Sequence, residues 1–216
     1  MKKTVRLLNS SHAGQYEKVL SLAFASAAGF TTRPEAARWS HVEDYYPTLG
    51  LFHDDTLVST MRIEWVHTQR ELDYKLHANF QLPDMVFPAV YLTKAGTLPH
   101  LKAGGYNSIL RYYALKLALH WKSKFVFGTM VEGSPRVFSM TEMGYNFKKN
   151  PAKWDGYFVS DKTPLIAWLD MPAKGASAIE YLEKSLGSTL NEYVPEFQVE
   201  TITCKTDKDI RFPWSA

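Results

Sequence analysis

Leu101-Lys102-Ala103-Gly104-Gly105-Tyr106-Asn107-Ser108-Ile109-Leu110 is the stretch on which the fold turns. Two adjacent glycines stand directly before a segment in which Ile109, Leu110, Tyr113, Leu117 and Trp121 recur at helical spacing, with Arg111, Lys116 and Lys122 elsewhere. Upstream, Val86 to Thr93 reads as a strand with little room for solvated residues. Downstream, Phe125 to Val131 reads as a second buried strand. The unit is therefore strand, glycine-containing loop (Leu101 to Tyr106), helix (Asn107 to Trp121), strand. Such a loop exposes several backbone N–H groups, and the helix start adds partial positive charge, so together they can cradle a phosphate. Gly104 and Gly105 permit close approach, and Lys102 adds a cation. The same letters also read as a tight turn that binds nothing. No G-x-x-x-x-G-K-[ST] or G-x-G-x-x-G string is present, which removes the P-loop and dinucleotide fingerprints.

Working outward, Thr4 to Leu8 is a short β-prone run. Tyr16, Val19, Leu20, Ala23 and Phe24 mark a helix that Gly29 is expected to close. A second helix is expected from Pro34 through Trp39 to about Tyr45, stopped by Pro47. A hairpin follows: Leu49 to His53 and Leu57 to Val66, joined by Asp54-Asp55-Thr56. In its second strand Leu57, Ser59, Met61, Ile63 and Trp65 share one face, and Val58, Thr60, Arg62, Glu64 and Val66 the other. His67 to Pro83 is polar and shows no clear period. Beyond the central unit, a short helix is expected over Arg136 to Met143, ended by Gly144. Strands are expected near Gly156 to Val159 and Leu165 to Asp170, and a helix from about Ala176 to Tyr193. Alternating strands and helices with a hairpin in the first half give a mixed α/β class. No repeat or linker divides the 216 residues, so one domain is expected over 1–216, with a core of about 4–171 and a C-terminal helix and tail over 172–216.

Composition narrows the function. Hydrophobic residues form 45% of the chain and charged ones 22%, which excludes disorder as a description of the whole. The 12 Phe, 12 Tyr and 6 Trp supply a large core and material for an apolar ligand tunnel. A formal charge of +3 is too small for a nucleic-acid footprint. The single cysteine, Cys204, excludes an intrachain disulfide framework and reads as a free thiol in a reducing compartment. No uncharged apolar run reaches the roughly 18 residues of a membrane helix. Met1-Lys2-Lys3 does not continue into a signal peptide, and the expected location is cytoplasmic. The seven histidines show neither H-x-x-x-H nor HExxH spacing, and no metal site is expected.

The segment Leu101 to Leu110, followed by Phe125 to Val131 and by Met140-Thr141-Glu142-Met143-Gly144-Tyr145, resembles the GNAT superfamily of acyl-CoA N-acyltransferases. In that family a strand enters a loop of the form [RQ]-x-x-G-x-[GA], which binds the donor's pyrophosphate at a helix start. A strand and a short helix ending in a Leu-Gly-Phe-like triplet then follow. Leu101 takes the Arg/Gln place, Gly104 matches the first glycine, Tyr106 replaces the second, and Met143-Gly144-Tyr145 matches the triplet. The agreement in element order covers roughly Leu49 to Phe147. A family tyrosine that protonates the leaving thiolate corresponds to Met140, which cannot do so, and Tyr106 is placed to crowd a standard coenzyme A pose. Outlying members include the long-chain N-acyl amino acid synthases and acyl-homoserine-lactone synthases, some of which draw on acyl carrier protein. The polar insertion before Pro83 and the aromatic content look more like that branch.

The resemblance implies a single-domain α/β (α+β) fold with a mixed, mostly antiparallel sheet splayed between its fourth and fifth strands. It implies N-acyl transfer from acyl-CoA or an acyl carrier protein's phosphopantetheine to a small-molecule or protein amine, with no nucleic-acid partner. The thioester would meet the main chain of Leu92 and Thr93, and its phosphates Leu101, Lys102, Ala103, Gly104, Gly105, Tyr106 and Asn107. Glu132, at the end of an apolar strand, is the candidate catalytic base, on the expectation that partial burial raises its pKa; its alternative is a solvated strand-end carboxylate or the partner of Arg136. His100 and His120 are the other titratable candidates. Lys148-Lys149 and Lys153 read either as a solvated basic turn or as a contact for an acidic carrier. The rival to catalysis is a non-catalytic sensor or scaffold that binds acyl thioesters on the same fold.

Overall fold

A computed structural model of the chain describes residues 1–27, 31–32, 34–150, 158–159 and 162–204. In chain order the elements are β1 (Lys3–Leu7), α1 (Ala13–Ala25), β2 (Thr31–Thr32), α2 (His41–Tyr45), β3 (Thr48–His53), β4 (Thr56–Val66), α3 (Gln69–Leu76), β5 (Ala89–Thr97), α4 (Tyr106–His120), β6 (Phe125–Val131), α5 (Arg136–Glu142), β7 (Asn146–Lys149), β8 (Phe158–Val159), β9 (Pro164–Asp170), α6 (Ala176–Leu186), α7 (Ser188–Asn191) and β10 (Val194–Pro195). Eight strands form one sheet in the order β10-β1-β3-β4-β5-β6-β9-β7, and β2 pairs with β8 apart from it. Within the large sheet every neighbouring pair is antiparallel except β1/β10 and β5/β6.

The β5/β6 pair sets the shape. Only Val90↔Val126, Tyr91↔Phe127 and Leu92↔Gly128 are in register. Beyond them β5 continues against β4 and β6 continues against β9, so the two strands part. A bulge on β5 drives the parting. Thr93 faces Arg62 and Gly96 faces Thr60, leaving Lys94 and Ala95 opposite the single residue Met61. Lys94 takes the left-handed conformation, φ +50°, that lets the strand bend there. Counted along the large sheet in chain order, β5 and β6 are its fourth and fifth strands, as the resemblance implies.

Both faces of the sheet are covered, which is why β4 is buried along nearly its whole length. On one side α1 and α4 press Tyr16, Leu20, Ile109, Tyr113 and Leu117 onto Leu51, Met61, Ile63 and Val126. On the other, Leu72 and Leu76 of α3 join Phe80, Tyr91, Phe127 and Ile166. The π-helical turn Met171–Gly175 leads into α6, which packs on α4. Among the described residues no helix is long and apolar enough to cross a membrane.

Several sequence expectations need correction. The first helix stops at Ala25, before Gly29, which lies outside the described residues. The helix expected from Pro34 to Tyr45 is two pieces, a 3-10 turn Pro34–Ala37 and α2. The split comes from Ser40: its hydroxyl accepts from Val42 N–H at 3.3 Å, and Glu43 accepts from Ser40 N–H at 2.9 Å, a capping box that starts a new helix. The segment without a period holds α3, capped by Thr68 at 3.2 Å from Glu71 N–H and burying only Leu72 and Leu76, too few positions to make a stripe. The strand expected at Val86 begins at Ala89 and runs on to Thr97, because the bulge accommodates Lys94 without ending the pairing. Gly187, at φ +50°, divides the last helix into α6 and α7. Arg111, expected off the apolar stripe, is 8% exposed, because α4 is covered on more than one side.

Ile63 is fully buried in β4, and Phe138 on α5 is 74% exposed. Ile63→Ala should therefore lower the unfolding free energy by about 2–5 kcal/mol in urea titration, while Phe138→Ala should change it by less than about 0.5 kcal/mol.

Candidate functional site

A cleft of about 1580 Å³ opens where β5 and β6 separate. Leu92, Thr93 and the whole of Leu101 to Asn107 line it, so the nine residues expected to meet a donor share one cavity. The loop turns through two left-handed residues, Ala103 at φ +74° and Gly105 at φ +72°, the second being the N-cap of α4 without a side-chain cap. Among the described residues, the N–H groups of Ala103, Gly105, Tyr106 and Asn107 have no acceptor. That is the donor array an anion at a helix start needs. Gly104 lies under the Tyr106 ring, where an added Cβ would come within 2.3 Å of it. The Tyr106 ring is held by its neighbours, edge-on to His53 at 5.6 Å and to Tyr193 at 6.1 Å between centroids. Lys102 does not hang free over the loop. Its Nζ donates to the carbonyl and Oγ of Ser26 at 3.1 and 2.8 Å, tying the loop to the end of α1.

At the far end of the same cleft lies a cluster of buried charge that sequence reasoning missed. Arg62 on β4 binds Glu43 of α2 and Glu64 of its own strand, with Arg62 Nε donating to Glu64 at 2.8 Å. Lys75 of α3 closes on the other oxygen of Glu64. Tyr16, fully buried, donates to Glu43 at 3.0 Å, and Ser40 Oγ donates to Glu43 at 2.6 Å. Burial pushes both carboxyls up, but Arg62 acts on each, with Lys75 on Glu64 and Ser40 and Lys94 on Glu43, and holds them below the usual carboxylate range. Lys94, in the bulge, donates to the carbonyl of Ala36. Desolvation first, and Arg62 second, bring its ammonium down to about 8. The available signal was Arg62-Ile63-Glu64: two charges on one face of an otherwise uncharged strand.

Tyr91 spans the point of parting, its hydroxyl 3.0 Å from Thr129 Oγ1, and burial raises the phenol to about 12. Met140 faces the cleft and is 1% exposed, so the position of the family tyrosine offers no proton.

Glu132 requires a correction. It is exposed rather than buried, it does not line the cleft, and Lys149 binds it at 2.8 Å. That hydrogen bond and charge lower its pKa, the opposite of the shift a base at strand end would need. His100 and His120 are exposed and lie outside the cleft lining. Lys148 stands 5.6 Å over the Phe80 ring, and Lys153 lies outside the described residues.

No family model and no curated protein matches the chain. Solved structures do. The chain is similar to FeeM, an N-acyl amino acid synthase from uncultured soil microbes, with a TM-score of 0.61 and 15% identity over 82% of this chain and 94% of that one. It is similar to the AHL synthase LasI, TM-score 0.56 and 11% identity over 82% and 94%. It is also similar to yncA, a putative acetyltransferase from Salmonella typhimurium solved with its cofactor acetyl-CoA, TM-score 0.54 and 9% identity over 79% and 95%. The fold is the GNAT fold that these structures share.

Glu64→Gln removes one partner from a buried network, takes Lys75 from its carboxylate and leaves Arg62 with Glu43 alone. It should cost about 3–5 kcal/mol in denaturant titration at pH 7. Because both carboxyls are lowered in the folded state, their contribution is present above the unfolded carboxylate pKa and is lost as pH falls through the folded one. The variant should accordingly show a flatter acid limb than the wild type when stability is followed from pH 6 down to pH 3.

Proposed function

We propose that the chain is an N-acyltransferase moving an acyl group from an acyl thioester to a primary amine. The observation that carries this reading is the parting of β5 and β6 after Leu92 and Gly128. It leaves main-chain groups of both strands on a cleft with anion-suited N–H donors at one end and a buried charge cluster at the other. The chemistry needs a neutral amine, a donor for the carbonyl oxygen in the transition state, and an acceptor for a proton. An acyl-CoA, or a carrier's acyl-phosphopantetheine, would place its phosphate on Ala103 to Asn107 and its thioester beside Leu92 and Thr93. The amine would enter from the side of α2 and α3, whose residues line that end of the cleft.

Lys94 is the base in this reading, in place of Glu132. It lies on the cleft next to Thr93, and at pH near 8 a large fraction is uncharged. A neutral lysine can donate to the Ala36 carbonyl and still accept a proton on its lone pair. The acceptor nitrogen attacks the carbonyl carbon, the C–N bond forms as the C–S bond breaks, Lys94 takes the proton from nitrogen, and the thiolate takes one from water. Met140 is the specific observation favouring the rival, a non-catalytic thioester sensor; binding of acyl-CoA without turnover on any amine would establish that rival.

Lys94→Met should lower the rate by about 10²–10⁴-fold at pH 7, the usual contribution of a positioned base, with little change in donor affinity. The wild-type rate should rise with pH through about 8 as Lys94 deprotonates, and the variant should lack that limb. Glu132→Gln should leave the rate near normal. Near-normal turnover in Lys94→Met with a saturating amine would end the assignment.

A further inference from the structure

Two arginines stand together between α4 and α5 without an acid. Arg111 is 8% exposed; its Nη1 donates to the Tyr145 hydroxyl at 3.2 Å and its guanidinium lies 5.5 Å over that ring. Arg136, in the first turn of α5, faces it. Among the described residues neither arginine has a carboxylate within ion-pair distance. Much of the Arg136 side chain is exposed, yet enough protein surrounds its guanidinium that desolvation, with Arg111 second, brings it down to about 10. Between them is a recess of about 40 Å³ that shares Asn107, Ser108, Arg111, Arg136, Ser139 and Met140 with the main cleft. Asn107 Nδ2 is buried and has no hydrogen-bond partner.

Like charges held close together, one of them buried, are costly, and a bound anion offsets the cost. The recess offers two guanidinium groups, an orphaned amide N–H₂ and the Ser108 hydroxyl, while the Ser139 hydroxyl already donates to the Arg136 carbonyl at 3.1 Å. Asn107 joins this recess to the loop: its backbone N–H belongs to the Ala103–Asn107 donor array, and the same residue lines the recess. The two donor sets therefore lie on either side of one residue and suit two separate anionic groups.

We propose that the recess between α4 and α5 is a second phosphate subsite, distinct from the loop cradle, which takes a phosphate monoester of the ligand whose thioester occupies the cleft. The thioester part of that statement rests on the acyl-transfer reading; the subsite itself does not. A donor with two separate phosphoryl centres, as in coenzyme A with its pyrophosphate and 3′-phosphate, fills both sets. A carrier protein's arm, with one phosphodiester, fills only one.

The test is calorimetric titration of wild type, Arg136→Gln and Arg136→Lys with coenzyme A, dephospho-coenzyme A, 4′-phosphopantetheine and inorganic phosphate, with melting temperatures alongside. Coenzyme A should bind Arg136→Gln about tenfold to a hundredfold more weakly, with Arg136→Lys recovering part of the loss. Dephospho-coenzyme A should bind wild type as weakly and be indifferent to the substitution, which identifies the 3′-phosphate. Sensitivity confined to 4′-phosphopantetheine would keep the subsite and assign it to the arm instead. Sensitivity confined to inorganic phosphate would overturn the ligand part of the proposal. The unliganded variant should melt no lower than wild type, since a cation whose pKa falls on folding destabilises while it is charged, as it is at pH 7. Wild-type affinity of Arg136→Gln for all four probes, or a lower melting temperature with unchanged binding, would overturn the subsite. Phosphate sensitivity in a protein with no turnover on any amine would instead sink the acyl-transfer reading and leave the subsite standing.

Discussion

Where β5 and β6 run side by side, Val90, Tyr91 and Leu92 find partners and Thr93 does not. Parallel pairing needs matched directions, and the bulge at Lys94 and Ala95 turns β5 away from β6 at that point. Strand edges left unpaired in a protein interior must find other hydrogen-bond partners. This one has a cleft, and the cleft reaches the start of α4 because β5 leads through Pro99–Leu101 directly to it. The Tyr91–Thr129 hydrogen bond marks the limit of the opening and fixes where it begins.

The electrostatics follow from the same geometry. Lys94 is carried by the bulge to the end of the cleft where Arg62, Glu43, Glu64 and Lys75 are buried. Each carboxylate there is hydrogen-bonded and ion-paired, which offsets a desolvation that would otherwise exclude it from the interior. The other end of the cleft has the opposite character, with N–H donors and arginines and, among the described residues, no acid lining the recess between them. A molecule spanning the cleft thus meets anion-binding groups at one end and a balanced, partly titratable set at the other. In the proposed reaction a thioester with a phosphorylated arm and an amine acceptor would divide along that line.

The sequence made the central unit legible because its signals are local. Gly104 and Gly105 precede an apolar stripe, and two apolar strands flank it. The cleft-facing position of Leu92, Thr93 and the loop follows from that order of elements. Beyond the Arg62 and Glu64 pair the charge cluster was not legible, because Glu43, Arg62, Lys75 and Lys94 come from four elements and meet only through the fold. Two of those elements were hidden as well: α3 has only two buried positions, and α2 depends on a capping box inside an expected longer helix. Glu132 failed for a related reason. Being at the end of an apolar strand does not bury a side chain when the next turn leads out to solvent, and Lys149, brought alongside by the β7/β9 pairing, draws the carboxylate outward. Arg111 shows the converse, a charged residue on a helix covered on more than one side.

The central claim is that a ligand with a thioester arm lies in the opening between β5 and β6. Amide hydrogen exchange with and without saturating acyl-CoA, resolved by peptide, tests it most directly, because exchange reports hydrogen bonding at the backbone itself. The account predicts slower exchange on binding in three places together: Thr93 to Ala95, Gly128 to Val131, and Ala103 to Asn107. Binding that leaves all three unchanged, or that protects only a surface remote from them, would contradict it.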